Sequence, residues 1–187
     1  MNRRAGFTLI ELLITITIMA ILMTVAVFSL RSVQADARDE KRKTDIDSIS
    51  KGLEQRYANG NPRATSTDIQ KGSYPGTNEM LHGMGWDRTG YTPLQIIGGY
   101  LPELLPGTSK DTFIPPGSGS FTISCVSSCQ PAETQSVINT ATTTSTYVYE
   151  PVNAAGNVCS DNACIRYNLY YRTEKDNVVH KVMSKRQ

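Results

Sequence analysis

An unbroken apolar run from Phe7 to Leu30 constrains this chain more than any other feature. Its 24 residues, at about 1.5 Å of rise each, predict a helix of about 36 Å, enough to cross a hydrocarbon core of about 30 Å. One charge interrupts it. Glu11 lies near its start, where a carboxylate in an isolated spanning helix costs on the order of 2 to 3 kcal/mol, so its presence calls for a partner. An ordinary secretory signal has a shorter apolar region followed by a cleavage site of small residues. Here the short basic leader Met1-Asn2-Arg3-Arg4-Ala5-Gly6 stands in front of the run instead.

The remaining sequence is polar and rich in Gly, Pro, Ser and Thr. A chain of 187 residues with 39% apolar content suits one modest globular unit plus one extra element. The formal charge of +2 comes from Arg3 and Arg4; without them basic and acidic side chains balance. No strong nucleic-acid field follows from such a balance. Orientation across a membrane is contested by the charges, because Arg31, Arg38, Lys41, Arg42 and Lys43 lie just past the far end of the run. The paired cysteines Cys125 with Cys129 and Cys159 with Cys164 favour an oxidising exterior for the distal part, hence an amino end inside.

The residues Arg3-Arg4-Ala5-Gly6-Phe7-Thr8-Leu9-Ile10-Glu11-Leu12-Leu13 resemble the class III signal of type IV prepilins and of the related type II secretion pseudopilins. The resemblance covers about the first 30 residues. It implies a leader of residues 1–6, cutting by a prepilin peptidase between Gly6 and Phe7, and N-methylation of Phe7. It also implies a single-pass precursor in the cytoplasmic membrane with its amino terminus inside, later drawn into an extracellular pilus filament by an assembly ATPase and a platform protein. The partner of each subunit is then another copy of the chain in a helical homopolymer. Glu11, fifth in the processed chain, becomes the candidate assembly residue, paired with the new amine of a neighbour. Many members carry a Pro where Phe28 stands here, and no Pro occurs from Phe7 to Tyr57.

Beyond the membrane run of residues 7–30 the helix is expected to continue through residues 31–58. Ile46, Ile49, Leu53 and Tyr57 form one apolar stripe. The other faces carry Asp36, Arg38, Asp39, Glu40, Lys41, Arg42, Lys43, Asp45 and Asp47, read as a solvated face or as contacts between staggered subunits, with Asp39 and Lys43, and Asp47 and Lys51, at i, i+4. Asn59-Gly60-Asn61-Pro62 ends the helix. The head, residues 59–187, opens with a loop-rich stretch in which Pro93 starts a short helix and Trp86, Tyr91 and Tyr100 pin a layer to the core. Strands are predicted at 120–126, 142–152, 164–173 and 178–183, with Glu174-Lys175-Asp176-Asn177 as a hairpin turn. Together these predict an α+β fold, a long amino-terminal helix packed on a small antiparallel sheet, which the resemblance also implies.

Four cysteines allow three connectivities. Two local bridges, Cys125 to Cys129 and Cys159 to Cys164, are favoured over a zinc site, because the spacings are not CxxC and only His82 and His180 could assist. Asp161 and Asn162 offer thin support for calcium, so no metal or cofactor is assigned. Two histidines without motif context, no nucleophile elbow and no phosphate loop argue against an enzyme. The sequence therefore points to a structural subunit, a major type IV pilin serving adhesion, twitching motility or DNA uptake. A type II secretion pseudopilin is one alternative. Another is a minor pilin binding DNA or a host or surface ligand, through Lys181, Lys185 and Arg186 beside Tyr170 and Tyr171.

Overall fold

A computed structural model describes residues 7–60, 71–77, 79–80, 101–117, 120–123, 142–159 and 164–186. The chain forms two compact units, Met1–Ala37 and Arg38–Gln187. Helix α1, Leu9–Asn59, runs through both, and its backbone stays α-helical past Phe28, consistent with the absence of proline. At its carboxyl end Gly60 takes φ +85°, and its N–H donates to Arg56 O at 2.9 Å. This single bond across a left-handed glycine is the simple C-cap expected from the Asn-Gly pair.

In the second unit α1 buries Ile46, Ile49 and Leu53, with Tyr57 at the margin, as the apolar stripe predicts. Against them pack Tyr147 and Tyr149 of β2, Thr146–Val152, and Tyr167, Leu169 and Tyr171 of β3, Arg166–Arg172. The short helix α2, Leu101–Leu104, and a 3-10 turn, Lys110–Phe113, close the core with Leu101, Leu104, Leu105 and Phe113. Gly52 marks the closest approach: a β-carbon there would lie 3.0 Å from Leu105 Cβ and 3.2 Å from Thr108 Cγ2.

The sheet has the order β1-β2-β3-β4, with β1 at Ser120–Ile123 and β4 at Val179–Met183. Strands β2, β3 and β4 are antiparallel, as expected. Strand β1 departs from the expectation, pairing parallel to β2 with Ser120 beside Thr146. Parallel neighbours need a long connection, and the chain length between Ile123 and Thr146 is ample for one, whereas residues 173–178 suffice only for a hairpin. In that hairpin Asn177 adopts φ +56°, and Thr173 N–H donates to Val178 O at 3.0 Å.

Alternation along β3 puts Tyr167, Leu169 and Tyr171 on the helix side. Tyr170 is buried too, on the opposite side, with Val148 and Val179. The predicted helix at Pro93 and the anchors Trp86, Tyr91 and Tyr100 lie outside the described residues.

Candidate functional site

The amino-terminal segment begins with its own cap. Thr8 precedes the first helical residue, and its Oγ1 accepts the N–H of Glu11 at 3.3 Å. In return the Thr8 N–H and hydroxyl donate to Glu11 Oε2 at 3.0 and 2.8 Å. This is a reciprocal capping box, which satisfies donors that a helix start otherwise leaves unpaired. Both bonds from Thr8 converge on Oε2. The S/T-x-x-E spacing ahead of an apolar run was legible as Thr8-Leu9-Ile10-Glu11, yet sequence reasoning gave Thr8 no role. Gly6 lies outside the described residues, and Phe7 is 85% exposed.

Beyond the cap, the large apolar side chains described from Phe7 to Val33 are all exposed, between 43 and 85%. The segment's most apolar 18-residue window has a mean hydropathy of 2.5 and none of that window is buried. Three of its threonine hydroxyls are nevertheless spoken for. Thr15, Thr17 and Thr24 each donate to the carbonyl three residues back, at 2.8, 2.8 and 2.7 Å. Helix carbonyls accept such bonds readily, and the polar groups then present little unsatisfied capacity to an apolar surrounding.

Part of the charged stretch from Arg38 to Asp45 departs from the solvated face expected of it, while Glu40, Lys41 and Lys43 are exposed as expected. Arg42 is 2% exposed, its Nη1 2.7 Å from Asp39 Oδ1, its Nε donating to Thr144 O at 2.9 Å and its Nη2 to Pro116 O at 3.3 Å. Asp39, instead of pairing with Lys43, accepts the backbone N–H groups of Glu174 and Lys175 at 2.7 and 3.0 Å. Arg38 holds the Glu174 carboxylate by two nitrogens at 2.8 and 2.6 Å. That bond is the main reason the Glu174 carboxyl sits below the usual carboxylate range. Asp45, also buried, accepts Lys41 Nζ at 2.7 Å and Tyr147 OH at 2.9 Å. Burial, then the charge of Asp45, pushes the Tyr147 phenol far up. Arg42, Asp39 and Asp45 thereby staple α1 to the sheet and its β3–β4 turn, while Arg38, Lys41 and Glu174 stay partly in solvent. The i, i+4 spacing identified possible neighbours but could not reveal that the β3–β4 turn competes for Asp39.

Cys159 and Cys164 form the expected local bridge. The ring it closes grips the segment that returns from α1: Tyr74 N–H donates to Cys164 O at 2.7 Å and Thr77 N–H to Cys159 O at 3.1 Å. Cys125, Cys129, His82, Asp161 and Asn162 lie outside the described residues. Among the described residues no group of three or more His, Cys, Asp or Glu is placed to hold a metal ion.

The suggested stacking patch is not assembled. Tyr170 is buried and donates its hydroxyl to Glu150 at 2.8 Å, with Lys181 Nζ 5.8 Å from its ring centre. Tyr171 stacks on His180 at 4.9 Å. The Lys185 N–H donates to Glu54 at 3.1 Å, and Arg186 lies over the Tyr57 ring. The rings that would have stacked on bases already face other groups of the same chain.

Residues 1–27 match the family model of the prokaryotic N-terminal methylation motif, the class III signal characteristic of type IV pilins and pseudopilins. Comparison with curated proteins and with solved structures gives no match. The motif and the apolar helix behind it fit a membrane-anchored precursor that is processed by a peptidase.

Proposed function

We propose that this chain is the precursor of a major type IV pilin, cut between Gly6 and Phe7, methylated on Phe7 and polymerised through α1 into a filament serving adhesion, twitching motility or DNA uptake. The observation that carries this reading is the methylation motif running directly into a helix whose described large apolar side chains from Phe7 to Val33 are all exposed. Burying one large apolar side chain is worth about 1.5 to 3 kcal/mol. A surface of this size therefore needs a cover, first lipid and then the α1 helices of neighbouring subunits.

Glu11 supports the assembly step. Its Oε2 holds Thr8 within the subunit, leaving Oε1 to accept the Phe7 ammonium of an adjacent copy. The charge is then neutralised inside an apolar bundle where neither group is stable alone. The chain's role is structural rather than catalytic, and its partners are the peptidase, the assembly ATPase and platform protein, and further copies of itself.

Electron microscopy of sheared surface filaments, with mass spectrometry of their main component, tests the proposal. The expected result is long extracellular fibres composed chiefly of this chain, beginning at methylated Phe7. Short periplasmic assemblies would instead identify a pseudopilin, and fibres containing only traces of the chain a minor pilin.

A further inference from the structure

At the start of β3 and the end of β4 the sheet lines a half-open pocket of about 240 Å³, bounded among others by Val152, Arg166, Asn168, Lys181, Met183 and Ser184. It belongs to the side of the sheet turned away from α1. Arg166 pairs with Val152, and Asn168 with Glu150 and Met183; Tyr167 and Leu169, the intervening and following core residues, point to the helix side. Alternation along a strand makes this division obligatory.

The cavity is cationic. Arg166 and Lys181 line it, and among the described residues no acidic side chain does, although the chain without Arg3 and Arg4 carries balanced charge. The Glu150 carboxylate, opposite Asn168, is already taken by Asn168 Nδ2 at 2.6 Å and Tyr170 OH at 2.8 Å. Neither Arg166 nor Lys181 forms an ion pair among the described residues, and Arg166 Nε is buried without a hydrogen-bond partner. Six residues along the same strand face, Arg172 shows how such a side chain is ordinarily satisfied, its Nε on Thr142 O at 2.7 Å and its Nη1 on Asn177 Oδ1 at 3.1 Å. A buried guanidinium N–H left unpaired is costly, and Arg166, which also lines the open volume, has no ion pair within the described residues to offset that cost.

We infer that this cavity binds a compact oxyanion borne on a carbon skeleton, a phosphomonoester or a sugar carboxylate, with Arg166 as its fork and Lys181 as a second charge. A guanidinium presents parallel N–H groups that match two oxygens of such a group. Val152 and Met183 supply an apolar wall for the attached carbons. The volume exceeds that of several waters, each about 30 Å³ in the liquid, so anion and retained water both fit. The inference is independent of the filament reading and holds for this head whatever assembly it joins.

The test uses the full chain, isotopically labelled in detergent micelles, titrated with inorganic phosphate, glycerol phosphate and glucuronate at ionic strength held constant with chloride. The Arg166 Nε–H resonance should shift saturably with at least one of them. Tighter binding of the phosphates points to a phosphomonoester ligand and tighter binding of glucuronate to an acidic sugar; either outcome supports the site. Lys181→Gln, at an exposed position, should weaken binding about fivefold, and Arg166→Lys, which keeps the charge but loses the fork, about tenfold. No saturable shift with any of the three anions, or titrations of both variants that coincide with wild type, overturns the inference.

Discussion

Thr8 and Glu11 close a reciprocal cap in which both Thr8 donors meet Oε2 of the carboxylate. A single subunit thus satisfies half of its own Glu11, and in the filament proposed above a neighbouring copy supplies the other half. Separate substitutions tell these halves apart. Thr8→Val removes a cap worth about 1 kcal/mol and should leave sheared-filament yield within about fivefold of wild type. Glu11→Ala leaves a neighbour's amine unpaired in an apolar bundle and should lower the yield by about tenfold or more. Quantitative immunoblots of the sheared fraction measure both, and the reverse order of effects would contradict the pairing.

Arg42 anchors three segments at once, so its loss should be felt throughout residues 38–187. Arg42→Ala strands the Thr144 and Pro116 carbonyls and part of the Asp39 charge. Breaking a buried pair in this way costs about 3 kcal/mol or more. A lowered denaturant midpoint with unchanged slope is the expected reading. Lys43→Ala, one position on and exposed, should change the midpoint little.

Gly52 sits in mid-helix against residues 105–108. Alanine gains about 1 kcal/mol of helix propensity over glycine. Here its β-carbon would press on Leu105 Cβ at 3.0 Å and Pro106 O at 3.3 Å, an overpacking that costs about 1 to 3 kcal/mol. Gly52→Ala should therefore destabilise by about 1 kcal/mol, read from thermal or denaturant unfolding. A net gain in stability would show that residues 105–108 yield easily.

Acid should loosen the β3–β4 turn. The Glu174 carboxyl lies below its ordinary value of 4.5, chiefly because Arg38 donates to it. A carboxylate whose pKa is lowered by folding contributes stability that is complete above the ordinary value and is lost as pH falls through the lowered one. Amide protection at Lys175 and Asn177, relative to the intrinsic exchange rate at each pH, should accordingly fall below about pH 4.5. Glu174→Gln should flatten that dependence, because glutamine does not titrate. Its side chain is about one-third exposed, so salt should also weaken the effect.

The amino-terminal half of the problem was largely written in local sequence. Apolar length, the leader, Glu11 and the helix-ending Asn59-Gly60 each act through neighbours within a few residues, and so did Thr8, whose capping spacing was present but unused. The stripe of Ile46, Ile49 and Leu53, the strand alternation of β3 and the Cys159 to Cys164 bridge are likewise short-range patterns that survive folding unchanged. What tertiary structure alone decided are relationships across long separations. Asp39 abandons Lys43 for the backbone of Glu174, Arg42 is buried among carbonyls of distant loops, β1 runs parallel to β2, and Tyr170 is buried on the face of β3 turned away from α1. Arg166, one more basic residue in the sequence, becomes an unpaired donor in a cationic cavity only when β2 and β4 flank it. Periodicity determines which face of an element turns inward; which partner competes successfully for a charge depends on what the fold carries to that face.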